Sequence, residues 1–167
     1  MQETAQEYKQ RIFGYLAENS PLKVQSATSK KLERLIARAS ASKLRKQPAP
    51  GKWSIAEILA HLADVELVVG YRLRAILGSP GTPIQAFDQD KWAQAMNYGK
   101  ADPRRSLERF NALRKANVDL LKRLSPAQWK YQGMHAERGE ESIETIARLS
   151  AGHDINHLSQ IEKILSP

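Results

Sequence analysis

An all-α fold, a four-helix bundle with short extra helices in its connections, is what this sequence predicts, and three observations predict it. Apolar residues recur every three or four positions over most of the chain, clusters of Pro and Gly cut that pattern into long blocks, and no stretch alternates like a strand or carries an Asn-Gly hairpin signal. With 167 residues and 41% hydrophobic content there is material for one sizeable core, so a single domain over residues 1–167 is expected.

Each element has its own signal. From Gln2 to Glu18, Tyr8, Ile12, Tyr15 and Leu16 recur at helical spacing until Ser20-Pro21 interrupts them. A second, basic helix from Leu22 to about Ala39 groups Leu32, Leu35 and Ile36, and Pro48-Ala49-Pro50-Gly51 is a firm break. The strongest start follows in Ser54-Ile55-Ala56-Glu57, where the hydroxyl and the carboxylate can satisfy free N–H groups of the first turn. Ile58, Leu62, Val65, Val69 and Ile76 carry the apolar stripe to Leu77, and Gly78, Pro80, Gly81 and Pro83 stop it. A loop with a short helical piece from Asp90 to Met96 comes next, then Asp102-Pro103 opens an amphipathic helix to Leu124 that carries Leu107, Phe110, Leu113, Leu120 and Leu121. Ser125-Pro126 begins one turn through Trp129, and Gly133 to Gly139 reads as a loop. Ser142 or its acidic neighbours launch the final helix, with Ile143, Ile146, Leu149, Ile161 and Ile164 facing inward.

Composition narrows the chemistry. The absence of cysteine excludes disulfides, iron–sulfur clusters, thiolate zinc sites and a cysteine nucleophile, leaving His, Asp and Glu as metal ligands. The first residues are polar and acidic, and no run approaches the ~18 apolar residues that would span a bilayer, so a cytoplasmic protein is expected. The formal charge of +8 is concentrated early: residues 1–52 hold eleven Lys/Arg against four acids, residues 101–167 eleven against nine. Lys30, Lys31, Arg34 and Arg38 follow helical spacing with no aromatic residue interleaved to stack on bases. A solvated helix face is favoured there over a nucleic-acid surface.

His153 and His157, in His153-Asp154-Ile155-Asn156-His157, are two of only four histidines and lie four residues apart on the last helix. Residues at that spacing share a face, so both imidazoles can reach one divalent cation. His61, at the margin of the apolar stripe of the Ser54 helix, can also point inward. Burying three imidazoles without a shared partner would leave several polar nitrogens to satisfy. The rival His-Glu-x-x-His protease motif has Asp154 at its second position, and the ten residues after His157 offer only Glu162, aimed elsewhere, so a metalloprotease is disfavoured. Three neutral imidazoles would leave the metal its full charge and an open position at which a water or a thiol loses its proton. Without a cysteine, any thiol must arrive as a cosubstrate.

Around the histidines, Glu57, Asp64 and Gln160 are candidates to accept ligand imidazole N–H groups, although Glu57 is also the capping residue. His135 and Asp90 are candidate catalytic groups at the rim, with Asp88, Asp90 and Trp92 as a lid. Arg72 and Trp92 are candidate substrate contacts, an exposed ion pair and a core anchor being their plainer roles.

Two segments carry a family resemblance. Gly51-Lys52-Trp53-Ser54-Ile55-Ala56-Glu57-Ile58-Leu59-Ala60-His61-Leu62-Ala63-Asp64-Val65-Glu66 and Gly152-His153-Asp154-Ile155-Asn156-His157-Leu158-Ser159-Gln160-Ile161 together resemble the DinB-like, damage-inducible family of metal-dependent bundle proteins. Asp90-Lys91-Trp92-Ala93 and His135 extend the resemblance to roughly residues 48–165. It implies a four-helix bundle, often dimeric, with zinc or nickel held by His61, His153 and His157. It also implies kinship with S-transferases that use thiols such as bacillithiol or mycothiol. The expectation is therefore an enzyme, a homodimer, acting on a small molecule by activating a thiol or water. The alternative is a non-catalytic metal-binding or dimerising module that contacts nucleic acid through its basic first third; a fourth protein ligand would favour it.

Overall fold

The computed structural model describes residues 3–166. Helix α1 (Ala5–Leu16) is followed by α2 (Pro21–Ile36), the short α3 (Ala41–Arg45) and α4 (Ile55–Gly78). Strand β1 (Pro83–Ile84), α5 (Gln89–Ala95) and a 3-10 turn at Tyr98–Lys100 lead to α6 (Pro103–Leu121), and α7 (Pro126–Trp129), β2 (Gln132–His135) and β3 (Gly139–Ser142) lead to α8 (Ile143–Leu165). The bundle is a ring of the four long helices: α4 packs on α6, α6 on α2, α2 on α8 and α8 on α4. Helix α1 lies outside the ring against α8.

The starts of these helices obey the capping chemistry read from the sequence. Ser54 N donates to Glu57 Oε2 at 2.7 Å and Glu57 N donates to Ser54 Oγ at 3.3 Å, closing the box that begins α4. Ser142 caps α8 by accepting from Thr145 N at 3.0 Å. One apolar cluster gathers Leu32, Leu59, Phe110 and Ile161, and another Leu73, Ile76, Leu121 and Ile143. Between them every long helix turns polar: Thr28 on α2, Asp64 and Glu66 on α4, Arg114 and Asn117 on α6, and His153, Asp154 and His157 on α8, all buried. This middle layer holds the chemistry.

Several expectations change. The segment read as a Gly133–Gly139 loop is a hairpin in a three-stranded sheet of order β1-β2-β3, β1 parallel and β3 antiparallel to β2, with His135 opposite Gly139. Its strands are short and polar, without the β-branched alternation that announces a strand. Packing is what specifies them: a Cβ at Gly133 would stand 2.6 Å from Ile84 and 2.9 Å from Ile76. Helix α2 ends at Ile36 rather than Ala39, because Ser40 caps the separate α3, and α6 ends at Leu121 rather than Leu124. Gln2, the expected start of the first helix, lies outside the described residues; α1 begins after the Thr4 cap. No helix among the described residues is long and apolar enough to cross a membrane.

Candidate metal centre

His61 projects from α4 and His153 and His157 from successive turns of α8, and their ring nitrogens converge. His61 Nε2 and His157 Nε2 each lie 3.0 Å from His153 Nε2. Nitrogen ligands of a four-coordinate zinc stand about 3.3 Å apart, so both spacings suit neighbouring ligands of one ion, and all three ligand atoms lie within 4.8 Å of one another. The rings are 1%, 8% and 6% exposed for His61, His153 and His157. Burial disfavours the imidazolium, which pulls His61 down to about 3 and His157 to about 4, and His153 well below its ordinary value. All three are neutral at pH 7, the state in which imidazole binds metal. His157 Nδ1 donates to Gln160 Oε1 at 2.8 Å, which turns the Nε2 lone pair toward the other two rings. Trp53 packs on His61 with ring centroids 4.9 Å apart. No carboxylate joins the cluster among the described residues, so a cation held here keeps open positions.

Two cavities reach these histidines. One, of about 490 Å³, contains His61 and His153 and runs between α4 and α8 to Arg72 and Arg138. The other, of about 530 Å³, contains His153 and His157 and is walled by Trp53, Asn156 and Ile164. Tyr8 and Gln89 line both. Tyr8 is delivered by α1, and the close approach of α1 depends on Gly152: a Cβ there would stand 2.1 Å from the Ile12 carbonyl oxygen.

Beside this cluster lies a second, of different character. Asp154, next to His153, turns the other way and accepts from Arg114 and, at 2.8 Å, from Thr28 Oγ1. Arg114 Nη2 also donates to Glu66 Oε2 at 2.8 Å, and Asn117 Nδ2 to Glu66 Oε1 at 2.9 Å. Burial opposes the Arg114 charge, but Asp154 and Glu66 more than offset it and hold its pKa above the ordinary value. Asp154 is therefore an ion-pair residue and not a base beside the histidines, which closes the protease reading.

Residues 26–161 match the family model of the DinB superfamily. The chain belongs to that superfamily. Among its relatives are two proteins of Oceanobacillus iheyensis whose names propose metal-dependent hydrolases. One is 29% identical over 68% of this chain and 66% of its own length, the other 29% identical over 74% and 70%. The solved structure of YfiT from Bacillus subtilis, described as a proposed metal-dependent hydrolase with an unusual four-helix bundle topology, superposes with a TM-score of 0.79 at 24% identity, covering 86% of this chain and 83% of that one. That likeness shows the fold, and the three-histidine cluster of this DinB-superfamily chain supports a divalent metal.

The other expected site residues of this DinB chain divide. Gln160 reaches His157 and Arg72 lines the first cavity, while Asp90 is exposed at the edge of the second. Glu57 stays in the capping box and Asp64 accepts from Tyr98 Oη at 2.6 Å and pairs with Arg109, so neither holds a ligand imidazole. His135 is not at a rim: the hairpin buries it at 2% exposure, where Nδ1 accepts from Glu137 N. Burial lowers its pKa to about 4. Trp92 packs on Phe87 above a separate cavity and lines neither of the two that reach the histidines. Tyr8 and Arg138 were not anticipated as site residues. A glycine directly before His153, inside a helix, was the one visible sign that another backbone crosses there.

Proposed function

We propose that this chain is a metal-dependent enzyme in which His61, His153 and His157 hold one divalent cation that activates water or a thiol cosubstrate. The observation that supports this most is the convergence of three neutral Nε2 atoms where two cavities meet. An all-nitrogen donor set suits zinc or nickel. When bound, such a cation supplies Lewis-acid chemistry and makes a water or a thiol nucleophilic near neutral pH.

The chain's own residues do the rest. Gln160 holds His157 in the ligating tautomer, and Trp53 fixes the His61 ring. Tyr8 stands between the cavities, and burial raises its pKa, so its hydroxyl stays protonated to donate to a substrate oxygen. The relatives' names favour hydrolysis. The presence of two cavities meeting at His153 favours the thiol-transfer form, because nucleophile and electrophile can then enter separately.

Metal analysis of protein prepared without a His tag, beside a His157→Ala variant, tests the site. One equivalent of metal in the native chain and its loss in the variant are expected; full retention in the variant would overturn the assignment. Activated esters, and electrophiles paired with small thiols, then separate the two reaction forms, and either conversion should vanish in His157→Ala.

A further inference from the structure

The first cavity is chemically graded along its length. His61, Val65, Val69 and Arg72 line it at i, i+4, i+8 and i+11 of α4, a spacing that returns to one helix face. Ile146, Leu149 and His153 do the same from α8. The histidines thus close one end and aliphatic side chains wall the middle. Arg72 stands at the far end, about 16 Å along the axis by the rise of an α-helix.

Arg72 is a buried cation without a paired carboxylate among the described residues. It is 9% exposed, donates Nη2–H to the Gln85 carbonyl at 2.7 Å and lies over the Phe87 ring. The other buried guanidinium, Arg114, has two carboxylates; Arg72 pairs with none among the described residues. Its remaining N–H groups have no acceptor among the described residues, and none is sealed off from the cavities it borders. Burial, with Arg138 adding a like charge and Glu141 and Glu137 offsetting only part of it, pulls its pKa down to about 10. The neighbouring Arg138 is already taken by Glu141, at 2.6 and 3.0 Å. Glu137 and Glu141 also border this end and disfavour a dianion such as phosphate more than a monoanion. A single guanidinium fork matches a planar monoanion.

We propose that Arg72 anchors the carboxylate of an elongated substrate whose apolar middle lies between α4 and α8 and whose reacting end meets the histidines. This rests on the metal-centre reading above. The test uses the full chain loaded with cobalt(II) and three thiols, 11-mercaptoundecanoate, 11-mercaptoundecanol and 3-mercaptopropionate, with binding followed by the sulfur-to-cobalt absorption band.

The long acid should bind about tenfold tighter than the long alcohol, as for one desolvated ion pair. That preference should disappear in Arg72→Gln and persist in part in Arg72→Lys, and the short acid should be indifferent to either change. Equal affinity of native protein for long acid and long alcohol would overturn the anchor while leaving the metal centre standing, and it decides the matter even if a variant fails to fold. A preference undiminished in folded Arg72→Gln would also overturn it. Failure to take up cobalt would overturn the metal reading and the anchor together.

Discussion

His153 and Asp154 are consecutive residues that serve two buried polar clusters of opposite kind. Asp154 turns into a cluster of fixed charges that answer one another: its carboxylate and that of Glu66 share Arg114, with Thr28 and Asn117 completing the hydrogen bonds. His153 turns into a cluster of neutral rings whose nitrogens face each other with cavities on both sides. The first is closed because its charges are paired within the protein, two carboxylates on one guanidinium, leaving a ligand nothing to do. The second lacks a charge at its centre, and three neutral ring nitrogens converging on one point are stabilised by supplying it. The difference separates a part that holds the fold from a part that works.

Asp154→Ala gives the largest effect expected from this contrast. It leaves Arg114 paired with Glu66 alone and removes three hydrogen bonds to a buried carboxylate, two from Arg114 and one from Thr28, a loss of about 3–5 kcal/mol at roughly 1–2 kcal/mol for each. Urea denaturation of the metal-free protein measures it. His157→Ala, measured in the same way, should cost only about 1–2 kcal/mol in the metal-free protein, since it removes a buried neutral ring at a cavity wall with its contacts to Gln160 and His153 but strands no charge. Comparable losses from the two substitutions would break the distinction.

Gly152→Ala comes next and sharpens the boundary between the clusters. Alanine normally stabilises a helix interior relative to glycine by about 1 kcal/mol. Here its Cβ would meet the backbone of α1 at 2.1 Å, so the sign reverses and a loss of about 1–3 kcal/mol is expected. Because α1 carries Tyr8, the same change should open both cavities, and limited proteolysis should release α1 before the bundle unfolds. A stabilised variant with α1 still protected would show that the close crossing does not restrain it.

How much of this was legible follows from where the information resides. The bundle helices were readable because their stripes and caps are local: Ser54 with Glu57, Asp102 with Pro103, and Ser142 each act within one turn. His153 with His157 was readable for the same reason, and His61 because its helix was. The hairpin was not, since Gly133 is demanded by Ile76 and Ile84 from elsewhere in the chain. The ion cluster was hidden because Glu66, Arg114 and Asp154 sit on three helices and each, read alone, resembles a solvated charge. The misassigned neighbours of His61 have the same origin: Glu57 and Asp64 lie near its face, but their carboxylates are taken by Ser54 and by Tyr98 and Arg109.

Gln160→Leu is expected to give the smallest effect and the most selective one. Gln160 is exposed, so its loss should leave metal-free stability within about 0.5 kcal/mol of the native chain. Its one specific contact accepts the His157 Nδ1–H at 2.8 Å, and removing such a support commonly weakens metal affinity about 10- to 100-fold by freeing the ring and its tautomer. Competition with a chromogenic chelator reads that change directly. Glu57→Gln is the matching control: it lies on the helix of His61 and keeps the shape of the side chain, but its contacts are to Ser54. It should weaken the start of α4 by about 1 kcal/mol and leave metal affinity alone. If Glu57→Gln lowered metal affinity while Gln160→Leu did not, the orientation of the rings would have to come from α4, and the second cluster would no longer be separable from the scaffold that carries it.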